Sequence, residues 1–235
     1  MIESSFARSN EKWSAADYSK HPAPVSYNGI SQTIGVQSQG HEPIYFLAPQ
    51  KFLGDQRASY NQDLEFKLRI GEANAAPTVE DVMLQGAGLS ISQPIFGQNN
   101  PLPSAQVQNY KFRLHEHSDH GWQPRLSSRD FMSVLANLTA VKIRGTYFPQ
   151  GVGFLDEVKL KTARRGAAGQ PANWIETCTC PSGYIGQFCE SCAHKYRHEP
   201  PNGGPFARCV PCNCNGHADS CEENTGLFDY YYYFF

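Results

Sequence analysis

Through residues 1–177 this chain has no cysteine, so order in that stretch has to come from a buried apolar core rather than from cross-links. No apolar run comes near the roughly 20 residues that a membrane-crossing helix needs, and membrane insertion is therefore not expected. An excess of charge of either sign is also missing. Lys and Arg number 20 against 22 Asp and Glu, a net charge of −2. That balance removes the electrostatic reason to expect nucleic acid or an anionic surface as a partner. The opening residues MIESSFARSNEKW lack the cationic start and apolar stretch of a signal peptide. No nucleophile–base pair, glycine-rich phosphate loop or paired-carboxylate arrangement can be picked out. The reading is therefore non-catalytic, with no catalytic residue and no cofactor.

With 40% hydrophobic residues, the chain has enough apolar material for one sizeable domain and a small appendage. Residues 10–38 are polar, with Trp13, Tyr18 and Tyr27 scattered among them and Pro22 and Pro24 breaking any helix, so only short edge strands are expected there. From Pro43 the pattern sharpens. Ile44, Tyr45, Phe46 and Leu47 form a continuous run suited to a strand buried on both faces. Leu64, Phe66, Leu68 and Ile70 alternate with Glu65, Lys67 and Arg69, the period of a strand with one wet face. Val82 to Leu84 and Leu89 to Ile91 flank Gln85-Gly86-Ala87-Gly88, a hairpin connection. The alternation returns in Tyr110, Phe112 and Leu114, in Val141 and Ile143 with Lys142 and Arg144 outward, and in Val158 and Leu160 with Lys159 and Lys161 outward. Many short strands set off by Gly, Pro and Asn mean an antiparallel sandwich or barrel.

One short helix interrupts the strands. Ser127 stands three residues before Asp130, as in a capping box, and Phe131, Val134, Leu135 and Leu138 follow at helical spacing. This stripe should pack on an end of the sandwich. Asn137 falls off the stripe and opens the only N-x-S/T sequon, Asn137-Leu138-Thr139, which makes it the candidate glycosylation site if the chain is secreted.

All 8 cysteines fall between Cys178 and Cys221. The Gly and Pro residues among them exclude long helices, so the segment reads as loops tied by cross-links. Cys189, Cys192, Cys209 and Cys212 have the spacing of a four-thiolate zinc site. A tetrahedral site has no use for the four further thiols interleaved with them, which favours disulfides and no metal.

CTCPSGYIGQFCESC and PCNCNGHADSCEENTG resemble the laminin-type EGF-like repeat, through C-x-C-N-G-H-x-x-x-C-x-x-x-T-G and G-x-x-C-E-x-C. The resemblance implies the bridges Cys180–Cys189, Cys192–Cys209 and Cys212–Cys221, and leaves Cys178 and Cys214 without partners in this chain. PIYFLAPQKFLGDQRASYNQDLEFKLRIG, DVMLQGAGLSIS, YKFRLHE, LANLTAVKIRGTY and GFLDEVKL resemble the laminin IV type A module, and the phrasing is closest to laminin gamma chains. The expected organisation is a module at residues 1–176, the C-terminal part of a repeat at 177–211, and the start of the next at 212–235. The implied fold is mainly β: a jelly-roll-like antiparallel sandwich with one short helix, followed by small disulfide-rich EGF-like repeats. The implied role is that of an extracellular matrix module in a laminin-like short arm. It would be secreted, located in basement membrane, and would serve basement-membrane assembly, cell adhesion and tissue development. Its partners would be other basement-membrane proteins and laminin chains, met through the parent protein. The missing signal peptide fits a piece of a longer chain, and the aromatic run from Tyr230 to Phe235 is read as an artefact of truncation, since a cysteine is expected soon after Gly226.

Several residues invite sharper readings. His115, His117 and His120 with Asp119 are dense in potential ligands. However, Asp119 stands where an H-E-x-x-H motif needs histidine, and a solvated turn is expected. Asp156 and Glu157 offer too few oxygens for calcium. Lys159, Lys161, Arg164 and Arg165 form a small basic surface that fits a solvated strand face. The alternative function is an independent carbohydrate- or protein-binding sandwich, as in perlecan-like proteins. For carbohydrate it requires exposed stacking aromatics, with Trp13, Trp122 and Trp174 as candidates.

Overall fold

The computed structural model describes residues 1–72, 75–163, 179–186, 188–214 and 220–227. The chain divides into two compact units, Met1–Gln170 and Pro171–Phe235.

In the first unit, strands β1 (Ile2–Ser4), β2 (Ser14–Asp17), β3 (Pro22–Ala23), β4 (Ser26–Asn28), β5 (Thr33–Gln37) and β6 (Ile44–Leu47) precede β7 (Asp63–Ile70), β8 (Val82–Gly86), β9 (Leu89–Gln93) and β10 (Gln108–Arg113). Helix α1 (Ser128–Ala136), β11 (Leu138–Arg144) and β12 (Val152–Leu160) complete it. One sheet runs β10-β7-β12-β5-β4, with β1 pairing the far half of β12; the other runs β3-β2-β6-β11-β8-β9. Every pairing is antiparallel. The alternating residues Leu64, Phe66, Leu68 and Ile70 of β7, Tyr110 and Phe112 of β10, and Leu155, Val158 and Leu160 of β12 are buried in one core. Val82, Leu84, Val141 and Ile143 from the opposite sheet join them. Phe66 stacks on both Tyr110 and Phe112, its cross-strand and diagonal neighbours.

The β8–β9 hairpin closes on Ala87 and Gly88, both at positive φ (50° and 75°), the signature of a tight primed turn whose twist matches the strands. Gly86 sits under α1 so closely that a Cβ there would lie 2.2 Å from the Val134 carbonyl oxygen. The helix is started by Ser127, whose hydroxyl accepts from the Asp130 amide, and it buries Phe131, Met132, Val134 and Leu135. It ends at Ala136. Leu138 is buried as the first residue of β11 rather than as a fourth helical contact, and its backbone exchanges hydrogen bonds with Gly54.

The structure corrects three expectations. The polar N-terminal stretch supplies more than edges, since β5 lies inside its sheet between β12 and β4 and buries Ile34 and Val36. Trp13 and Trp122 are not surface aromatics but core, at 2% and 4% exposure. Trp13 donates from its indole to Ser4 Oγ at 2.8 Å and meets Phe6 and Phe52 edge-on; the Trp122 indole donates to the Arg113 carbonyl. Arg144 is buried instead of outward. Strand alternation fixes the side of the sheet a residue faces, not whether that side is covered, and here residues 75–81 lie over it. Arg144 bonds Asp81 at 3.1 Å and the carbonyls of Ala76 and Thr146, and stacks on Tyr147.

The described residues of the second unit hold two small antiparallel pairs, β13 (Tyr184–Ile185) with β14 (Ser191–Cys192) and β15 (Tyr196–Glu199) with β16 (Arg208–Pro211).

Candidate functional site: the cross-linked hairpins and their joint

Among the described residues, three disulfides tie the second unit. Cys180–Cys189 encloses β13, Cys192–Cys209 links β14 to β16, and Cys212–Cys221 closes the loop that follows, with Cα separations of 5.3, 5.4 and 5.9 Å. Cys189, Cys192, Cys209 and Cys212 are thus divided among three bonds, not gathered around one metal ion. Cys214 is a buried free thiol, its Sγ 3.7 Å from the Ser220 carbonyl oxygen. Cys178, Trp174, Arg164, Arg165 and the aromatic tail lie outside the described residues.

Glu223 was not singled out by sequence, yet it organises the joint between the β15–β16 hairpin and the loop closed by Cys212–Cys221. Its carboxylate accepts from the Cys192 amide at 2.7 Å, its carbonyl accepts from the His198 amide at 2.7 Å, and Oε1 lies 3.3 Å from His198 Nε2. Beside it the Asn224 carbonyl accepts from the Asn202 amide, and the Lys195 carbonyl from the Cys212 amide. The adjacent Glu222 folds its carboxylate onto its own turn, accepting from the Asn224 amide and from the Thr225 amide and hydroxyl. Those donors, the Thr225 hydroxyl foremost, pull its pKa down to about 2. The E-E-N-T-G run carried the signal: acidic and small polar residues followed by glycine are turn chemistry.

In the first unit, the expected candidates are committed to local structure. The His115 ring stacks on Tyr60 at 4.9 Å between centroids and its Nδ1 accepts from the His117 amide; His117 Nδ1 accepts from the Asp119 amide within the single turn Ser118–His120. Glu116 accepts from Tyr60 and Ser128. Lys159 pairs with Glu157 and Glu3, and Lys161 with Glu65 and Asp63, so the described part of the expected basic surface is a mixed-charge face. Glu157 is held below the usual carboxylate range by Lys67 and Lys159, while burial pushes its neighbour Asp156 up. Asn137 is exposed at the end of α1, and Thr139 is exposed with its hydroxyl donating to the Gln85 carbonyl. A hollow of about 310 Å³ at one end of the sandwich is lined by Asp17, His21, Ser38 and Glu42 among others. Asp17 and His21 are paired there at 3.0 Å, and Glu42 accepts from Ser19.

A cysteine-free antiparallel sandwich carrying one capped helix, followed by short hairpins stapled by disulfides, defines a modular, cross-linked β protein. The Laminin B (Domain IV) family model matches residues 45–176, more than half of the chain, and the chain belongs to that family. Laminin subunit gamma-1 of Xenopus tropicalis is 47% identical over 225 residues, which is 96% of this chain and 14% of that protein. Human laminin subunit gamma-1 is 45% identical over 226 residues with the same coverage, and human laminin subunit gamma-2 is 40% identical over 225 residues, covering 96% of this chain and 19% of that protein. The chain therefore spans less than a fifth of the length of these curated relatives. Among solved structures, the L4b domain of human laminin alpha-2 is similar with a TM-score of 0.51 at 17% identity, over 64% of this chain and 90% of that one, a likeness of fold.

Proposed function

We propose that this chain is a non-catalytic extracellular matrix module of a laminin-like short arm, in which a sandwich at residues 1–176 is followed in the chain by stapled repeats at 177–211 and 212–235. The observation that supports this most directly is the joint at Glu223. The hairpin held by Cys192–Cys209 and the loop held by Cys212–Cys221 are bonded to each other through Cys192, His198, Asn202, Glu223 and Asn224, so successive cross-linked pieces act as a stiff spacer. The sandwich offers partners the mixed-charge face around Lys159 and Lys161. The relatives' class supports reading the chain as secreted, resident in basement membrane, and in contact with other basement-membrane proteins and laminin chains through its parent protein. The contribution is to assembly and adhesion.

The exposed Asn137 and Thr139 sit where an oligosaccharide can project without touching the core, and we assign Asn137 as the glycosylated residue. Two measurements test this reading. Surfaces coated with the chain purified from secreting eukaryotic cells should capture basement-membrane proteins and retain cells; a coat inert in both assays contradicts the matrix role. The secreted chain should lose mass on deglycosylation, and Asn137→Gln should abolish that loss.

A further inference from the structure

A buried histidine stands directly across from a disulfide. His198 is the register partner of Cys209 in the β15–β16 pair, it is 4% exposed, and neither ring nitrogen makes a hydrogen bond among the described residues. Burying an imidazole whose one carboxylate neighbour, Glu223, stands outside hydrogen-bond geometry is costly, so a side chain in this position invites a ligand. One ligand atom each from Cys192, His198 and Cys209 lie within 4.8 Å of one another. On the outer side, Glu223 Oε1 lies 3.3 Å from His198 Nε2. A carboxylate behind one ring nitrogen is the arrangement that orients a metal-bound imidazole.

We propose that Cys192, Cys209 and His198 form a latent zinc site that opens when the Cys192–Cys209 bond is reduced, with Glu223 as its positioning residue. Two thiolates and one imidazole are a donor set that zinc takes with water in the fourth place. The geometry needs little movement. Two Zn–S bonds of about 2.3 Å in a tetrahedral arrangement separate the sulfurs by about 3.8 Å. The Cα atoms are 5.4 Å apart, and besides the disulfide the two hairpins are joined by the Cys209 amide donating to the Tyr184 hydroxyl and the Phe206 amide donating to the Glu190 carbonyl. The chemistry balances with a dithiol as reductant. Its two sulfurs are oxidised to a disulfide, two electrons cleave Cys192–Cys209, and two thiols form; zinc then takes both as thiolates and their protons pass to solvent.

This site differs from the four-thiolate arrangement that the spacing of Cys189, Cys192, Cys209 and Cys212 permits, and cobalt distinguishes them. The full chain is reduced with dithiothreitol in steps, peptide mapping selecting the step at which Cys192–Cys209 is open and Cys180–Cys189 and Cys212–Cys221 are closed, then freed of it without oxygen and titrated with Co²⁺, then with Zn²⁺ in competition. The expected result is one ion per chain bound only after reduction, a sulfur-to-cobalt charge-transfer intensity of two thiolates, and an affinity lowered about tenfold or more in His198→Ala and less in Glu223→Gln. Because His198→Ala can disturb the hairpin, ring-nitrogen NMR of the unaltered protein supplies a second readout: a His198 ring-nitrogen resonance should shift on adding Zn²⁺. Four-thiolate intensity, equal binding before reduction, or an unmoved His198 resonance overturns the proposal.

Discussion

The two units of this chain solve the problem of staying folded by opposite means. The sandwich buries a continuous set of aromatic and aliphatic side chains, with Trp13, Phe46, Phe66, Phe112, Phe131 and Leu68 among the most enclosed. The described residues of the second unit bury almost nothing apolar besides Phe206 and the cysteines themselves. A core stabilises by removing surface from water, and it fails locally when a large side chain is cut away. Staples act chiefly by restricting the unfolded chain, so that unit should fail with its bonds rather than with its packing.

The largest expected effect is therefore in the sandwich. Trp13→Ala removes an indole that fills the space between Phe6 and Phe52 and leaves Ser4 Oγ without its donor. It should cost about 3–5 kcal/mol in chemical denaturation of the first unit. Disulfide mapping of the same variant should still find Cys180–Cys189, Cys192–Cys209 and Cys212–Cys221. Scrambled bonds in Trp13→Ala would mean that the two units do not fold independently, and the contrast drawn above would break.

Replacing Cys192 and Cys209 together by Ser should cost about 2–4 kcal/mol, confined to the second unit. Tyr184 is the probe: its hydroxyl accepts from the Cys209 amide at 3.1 Å, so its resonance should broaden while those of Phe66 and Tyr110 stay sharp. Loss of the sandwich signals in this variant would show that the staples also support the core. Smaller again is Ser127→Ala, which removes the cap of α1 and should lower the stability of the sandwich by about 1 kcal/mol without moving β8. An unchanged denaturation midpoint would mean that Gly86 and the packing of Phe131 and Leu135 hold the helix with no help from its cap.

What could be seen in the sequence follows the same division. The strands with clean alternation, β7 and β10, and the β8–β9 hairpin were legible because one wet face and one dry face leave a period of two. So was α1, through its cap and stripe. Trp13 and β5 were not, since each depends on neighbours far away in sequence: Phe52 for the tryptophan, and the insertion of Ile34 and Val36 beside β12 for the strand. Arg144 misled for a similar reason. Its register was right, and the cover supplied by Ala76, Thr78 and Asp81 left no periodic trace. In the second unit, spacing and residue type carried the resemblance of the repeats, but the roles of His198 and Glu223 are three-dimensional. A histidine facing a cysteine across a strand pair and a glutamate reaching back over the joint have no pattern in one dimension.

The smallest expected effect separates the units by pH. Glu222 holds its own turn through the Asn224 and Thr225 donors, and its pKa of about 2 lies below the usual carboxylate value of 4.5. A carboxyl depressed on folding contributes stability that is fully present above the unfolded value and is lost as pH falls from 4.5 towards 2. Acid should therefore loosen the turn at residues 222–227 over that window. Because the group is open to solvent, the effect should stay within the turn and leave the three disulfides and the hairpins in place. The Thr225 amide reports it directly, since its hydrogen bond to the Glu222 carboxylate weakens on protonation. Its NMR shift should titrate with a midpoint near 2, and Glu222→Gln should erase the titration. A Thr225 midpoint at 4.5 would show that the carboxylate gains nothing from the turn, and the loop closed by Cys212–Cys221 would then owe its order to the disulfide, to Glu223 and to the backbone bonds at Asn202 and Lys195.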